Sequence, residues 1–166
     1  MNSTFIIPLI ADGLIIPIVL IGIYALIRYV PNKQRYQTYT CVLMAGLTSL
    51  LIAKLAATLY QPNTVRPFVE LGVSPQAAYM NNPGFPSDHV LFAMAITLAV
   101  LFATKQRKLA LILAILTALV AIGRVMALVH TPLDVVGGAV IALIGALWYF
   151  HLPETRLKRK KLIKHR

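Results

Sequence analysis

The chain has 166 residues, enough for one domain, and is 58% hydrophobic with only 13% charged residues. Soluble domains carry about 25% charged residues, so the composition excludes a soluble globular enzyme or a disordered tail and points to a bilayer. A single cysteine, Cys41, excludes an internal disulfide.

In chain order, residues 1–13 contain Pro8 and Asp12 but no basic residue, and are expected to form an interfacial segment. Crossing the hydrocarbon takes about 20 apolar residues in a helix. Candidate runs extend from Leu14 to Tyr29, Tyr39 to Tyr60, His89 to Thr104, Leu109 to Val129 and Pro132 to His151. The first is expected to be a span and not a signal peptide, because no positively charged stretch precedes it. The expected fold class is therefore all-α: a polytopic membrane helix bundle of about five transmembrane helices plus the N-terminal interfacial segment. It forms one transmembrane domain over residues 1–152, followed by a basic tail over 153–166.

The net charge of +11 would suggest nucleic acid, but its distribution argues against such a partner. Arg28, Lys33 and Arg35 fall at the first connection, Lys105, Arg107 and Lys108 at the third, and seven more basic residues in the tail. With five spans these share one side, which the positive-inside rule makes cytoplasmic. The expected topology is a multi-pass inner-membrane protein with its N-terminus outside and its C-terminus in the cytoplasm. The tail is read as a solvated anchor able to meet anionic membrane lipids, at about 1 kcal/mol per basic residue. Small residues at four-residue spacing (Ala95, Ala99 and Ala103; Ala110, Ala114 and Ala118; Gly138, Ala142 and Ala146) suit close helix packing.

The long connection from Gln61 to Pro86 holds five of the ten prolines. Loops beyond about 12–15 residues are usually functional or disordered, and the aromatics Phe68, Tyr79 and Phe85 favour an ordered loop. It ends in Pro86-Ser87-Asp88-His89 before an apolar helix that Ser87 is placed to cap. A helix N-terminus suits an anion. A second cluster runs from Arg124 through His130 to Asp134, with Thr131-Pro132 as a helix start. Residues four apart on a helix can meet. A carboxylate on one imidazole nitrogen leaves the other free to attack. Taken alone, Asp134 reads equally well as the capping-box partner of Thr131.

Lys54, Arg66, His89, Arg124, His130 and Asp134 thus converge on the outer face. Ionisable residues at membrane depth are costly and mark function by default. Three permanent cations and two imidazoles suit phosphate or diphosphate, which arginine forks grip in bidentate fashion. One histidine as nucleophile and another as general acid could run phosphoryl transfer. Carboxylates are too few for a Mg²⁺ cage, so neither a metal nor another cofactor is expected.

These residues resemble the signature of the type 2 phosphatidic acid phosphatase superfamily of membrane lipid phosphatases. The matching motifs read Lys54…Arg66-Pro67, Pro86-Ser87-Asp88-His89 and Arg124…His130…Asp134. The resemblance implies that His130 attacks phosphorus and becomes phosphohistidine, that Asp134 orients it, and that His89 protonates the leaving group. It further implies that Arg66, Arg124, Ser87 and Lys54 hold phosphate oxygens without a metal. The interval from Lys54 to Arg66 is longer than the family's usual one, and the classical core has six spans. Asp88 stands where the family commonly has glycine, which is similar to the bacitracin-resistance branch of undecaprenyl-diphosphate phosphatases. A carboxylate repels phosphate, so Asp88 is not assigned to phosphate binding.

The implied substrate is undecaprenyl diphosphate, cleaved outside to undecaprenyl phosphate and phosphate. Phosphatidylglycerophosphate, phosphatidic acid and lipid A phosphates are the alternatives. A non-enzymatic membrane protein, such as a small transporter, is the reading from another class. Transporters tend to place charge at the midplane on broken helices, a pattern not found here.

Overall fold

The computed structural model describes residues 3–62, 65–80 and 84–152, so the basic tail lies outside the described residues. All regular elements among these residues are helical. Helix α1 (Ser3–Pro8) passes through a wide π turn (Leu9–Gly13) into α2 (Ile15–Tyr29). A short 3-10 turn leads to α3 (Arg35–Leu59), and the long loop carries one helical turn, α4 (Pro67–Glu70). Helix α5 (Asp88–Ala99) continues as a π turn (Val100–Thr104), then come α6 (Arg107–Met126) and α7 (Pro132–Gly145), which ends in 3-10 turns to His151.

Among the described residues, four stretches are long and apolar enough to cross a membrane: Ile6–Tyr29, Asn32–Leu59, Arg107–Met126 and Pro132–His151. The remaining expected span, Asp88–Thr104, is a shorter apolar helix. Its position explains how a short helix is sufficient, since α5 packs against α7, α6, α2 and α3 and forms the centre of the bundle. The N-terminal segment is helical and continuous with the first span. Leu9 and Ile10 are apolar and carry the helix on, and the π turn closes with the Leu14 N–H donating to the Leu9 carbonyl at 3.1 Å. Pro8 lies inside this helical run, and the chain carries on past it through the π turn.

The side chains sort as a bilayer requires. Leu20, Leu51, Leu55, Leu111, Ile115, Val136 and Leu147 are exposed on the bundle's outer surface, where lipid rather than water is the solvent. Small residues face inward. On α7 the expected ridge of Gly138, Ala142 and Ala146 is buried. A Cβ on Gly138 would come within 2.6 Å of the Ser87 carbonyl, so this glycine sets how closely α5 meets α7. On α6 the buried face is instead Ala110, Leu113, Thr117, Val120 and Gly123, while Ala118 turns outward. Some hydroxyls bond across the bundle. Thr97 and Thr117 meet at 3.1 Å between α5 and α6, and the Trp148 indole donates to Thr48 at 2.8 Å, joining the end of α7 to α3.

The basic connections gather at one end of the bundle. The long loop, the α6–α7 connection and the π turn at Leu9–Gly13 meet at the other.

Candidate active site

The α6–α7 connection is the anchor. Thr131 and Asp134 form a complete capping box: the Asp134 N–H donates to Thr131 Oγ1 at 3.3 Å, and the Thr131 N–H donates to Asp134 Oδ2 at 2.8 Å. That same Oδ2 lies 3.5 Å from His130 Nδ1. The two readings of Asp134 are therefore compatible, because one carboxylate can start α7 and face the imidazole. His130 is 5% exposed and Asp134 3% exposed. Burial pushes the His130 imidazole below its ordinary value, Asp134 pulls it back, and the Arg124 and Arg66 cations lower it further. The ring is thereby biased toward the neutral form a nucleophile needs.

The long loop is ordered against this hairpin. Its Phe68 N–H donates to the Leu128 carbonyl at 3.0 Å and its Gln76 N–H to the Ala127 carbonyl at 3.3 Å. Buried Phe68 packs with Ala127 and Val129 and meets the Tyr79 ring at 4.9 Å between centroids. Leu128 takes φ 60°, a left-handed conformation uncommon for a side-chain-bearing residue. It turns the chain so that carbonyls 127–129 face the loop.

Arg66, just before α4, donates to the Val129 carbonyl and to the Met80 carbonyl at 3.1 Å, and lies 5.5 Å over the Tyr79 ring. Burial, and next the nearby Arg124, hold its guanidinium below its ordinary value, although arginine remains a cation. Arg124, in the last turn of α6, is 2% exposed. Its Nη1 donates to Asp12 Oδ1 at 2.5 Å and to the Ala78 carbonyl at 2.8 Å, while Nε has no hydrogen-bond partner. His89 opens α5, with Nε2 3.3 Å from the same Asp12 oxygen.

These groups surround a cavity of about 310 Å³ whose wall includes Lys54, Arg66, Asp88, His89, Arg124 and His130. Lys54 reaches it from an exposed position near the end of α3. Asp134 stands behind His130, off the wall. Ser87 is not on the wall either: it is fully buried, and its Oγ neither caps α5 nor finds another hydrogen-bond partner. Its backbone accounts for this placement, since the Ser87 N–H donates to the Asp134 carbonyl at 2.9 Å and draws the residue onto α7. Asp88 does line the cavity. Among the described residues no cluster of three histidine, cysteine or acidic side chains is placed to share a metal ion. The donor set is cationic and fits an anion with several oxygens.

Sequence reasoning did not place Asp12, Gly84 or Gly137 in the site. Asp12 had a signal, a lone carboxylate in an otherwise apolar run at membrane depth. Gly84 passes over the site, where an added Cβ would sit 3.0 Å from Asp134 Oδ2. Gly137 makes room for the Phe85 ring beside it.

Residues 36–158 match the PAP2 superfamily, and the chain belongs to that superfamily. It is also 34% identical over 117 residues to undecaprenyl-diphosphatase BcrC of Bacillus subtilis (strain 168), a match covering 68% of this chain and 58% of that protein. The chain thus spans less than two thirds of that relative's length. No solved structure matches at a significant level.

Proposed function

We propose that the protein is a membrane lipid phosphatase that hydrolyses undecaprenyl diphosphate to undecaprenyl phosphate and phosphate. The observation carrying this reading is the buried His130, with Nδ1 facing Asp134 and the cavity wall bearing Lys54, Arg66 and Arg124. Membership of the superfamily supports phosphatase chemistry, and likeness to a protein named undecaprenyl-diphosphatase supports the substrate.

In this mechanism the cations hold the terminal phosphoryl group. His130 Nε2 forms a bond to phosphorus as the bridging P–O bond breaks, and the leaving oxygen takes a proton from His89. Water then attacks the phosphohistidine, gives a proton back to His89, and releases phosphate as the P–N electron pair returns to His130. Donors placed where charge develops in the transition state contribute most of the acceleration. The site faces outside and the basic end faces the cytoplasm, as the distribution of basic residues directs.

The test is phosphate release by the detergent-purified protein in EDTA, from undecaprenyl diphosphate, phosphatidic acid and phosphatidylglycerophosphate. Release from undecaprenyl diphosphate is expected to lead, to survive EDTA and to vanish in His130→Ala together with phosphohistidine. A different lipid in the lead would reassign the substrate, EDTA-sensitive release would overturn the metal-free mechanism, and release undiminished in His130→Ala would overturn the nucleophile.

A further inference from the structure

Asp12 lies outside the superfamily match, which begins at residue 36, and belongs to none of the three motifs. It nevertheless makes three contacts at the site. Its Oδ1 meets both Arg124 Nη1 at 2.5 Å and His89 Nε2 at 3.3 Å, and its Oδ2 accepts the Ala78 N–H at 2.8 Å. The approach is built in. The π turn containing Asp12 packs on α6, where fully buried Ala11 meets Gly123, and a Cβ on that glycine would fall 2.9 Å from the Ala11 nitrogen. π turns inside helices are rare and frequent at functional sites.

We propose that Asp12 is a positioning residue that holds His89 as the proton donor of the reaction, forming a second carboxylate–imidazole pair beside that of His130 and Asp134. The inference rests on the phosphatase reading.

Countering Arg124 would by itself account for a nearby carboxylate, since a buried cation needs a partner. It does not account for the shared oxygen on His89. The two histidines have opposite tasks, because a nucleophile needs a free electron pair and a general acid needs a proton. His89 shares the cavity with Lys54 from α3, Arg66 from the loop, Arg124 from α6 and His130 from the hairpin, and every positive charge there opposes its protonation. The carboxylates near it are Asp88 on its own helix and Asp12, and Asp12 is the one in contact with the ring. With Nε2 turned to Asp12, Nδ1 is left to serve the leaving oxygen, as Nε2 of His130 is left to attack.

The experiment is the pH dependence of kcat/KM for undecaprenyl diphosphate in wild type, Asp12→Asn and Asp12→Glu, with His130→Ala as the blank. Asp12→Asn is expected to lose about 10- to 100-fold, a part of the roughly 10²- to 10⁴-fold that a general acid contributes. Its alkaline limb should also move about one unit or more toward lower pH, as expected when an opposite charge within reach is lost. Asp12→Glu should return the limb to the wild-type position and recover part of the rate. A limb that stays in place in Asp12→Asn, whatever the loss of rate, would reduce Asp12 to a structural partner of Arg124. An Asp12→Glu variant that behaves like Asp12→Asn would do the same. Wild type no more active than His130→Ala would overturn the phosphatase reading instead. The pair is then read without turnover, by NMR titration of ¹³C-histidine-labelled protein with His89 assigned from His89→Gln. An unmoved His89 midpoint in Asp12→Asn overturns the inference.

Discussion

The two histidines of the site are held by carboxylates in unlike ways. His130 sits in a tight connection, and its carboxylate lies one helical turn on, fixed by the capping box that starts α7. His89 stands at the head of the central helix, its side chain 33% exposed, and its carboxylate comes from the first helix. The first pair depends on a few consecutive residues and would survive small shifts of the bundle. The second exists only while the first helix, α5 and α6 are all in register. In the proposed mechanism, the group that forms and breaks a bond to phosphorus is thus built locally, and the group that passes a proton is built by tertiary packing.

The comparison can be broken first at its local half. Asp134→Asn should lower kcat on the order of 10³-fold, comparable to the cost of removing the orienting carboxylate from a catalytic histidine. It should cost at most about 1 kcal/mol of stability, because asparagine keeps an oxygen for the cap. Steady-state kinetics and a thermal melt in detergent separate the two effects, and a large melt shift with little kinetic loss would make Asp134 chiefly a cap.

A smaller loss, about 10²-fold in kcat/KM, is expected for Arg66→Ala, the usual cost of one transition-state donor. The sign of its pH effect follows from His130. Burial, Arg124 and Arg66 hold that imidazole below its ordinary value, so the acid limb of wild type should lie below the ordinary imidazole range of about 6.5. Removing Arg66 favours the imidazolium, so the limb should move to higher pH. A limb that moves down, or not at all, would separate Arg66 from His130.

The smallest effect tests the packing half. Gly138→Ala places a methyl against the Ser87 carbonyl and should cost about 1–3 kcal/mol, as overpacking does. The shift starts at α5, so the alkaline limb should respond more than the acid limb, and equal changes in both would erase the distinction between the pairs.

Much of this arrangement is legible in the sequence because it is local or periodic. The spans are visible as apolar runs, the helix start at Thr131-Pro132 as cap chemistry, and the His130–Asp134 proximity as helical spacing. What escapes depends on contacts between distant elements. Asp12 is visible as an acidic residue, but only the packing of Ala11 on Gly123 brings it to Arg124. Ser87 is placed in the sequence to cap α5, yet its backbone is engaged by Asp134 of another helix and its hydroxyl is left over. The continuation of the first span through a π turn is hidden because Pro8 reads as a break in a string of letters, while the helix carries on past it.

The 112-residue separation between Asp12 and Arg124 bears on how the protein is made. When the first helix enters the bilayer during synthesis, its carboxylate has no guanidinium to meet, because that residue has not yet been translated. An aspartate costs up to about 3 kcal/mol at the centre of an inserting helix and less toward an end. The position of Asp12 toward one end of its helix keeps this cost tolerable while the later helices are inserted. The site therefore closes late in biogenesis, when the earlier helix acquires its ion partner from one synthesised after it.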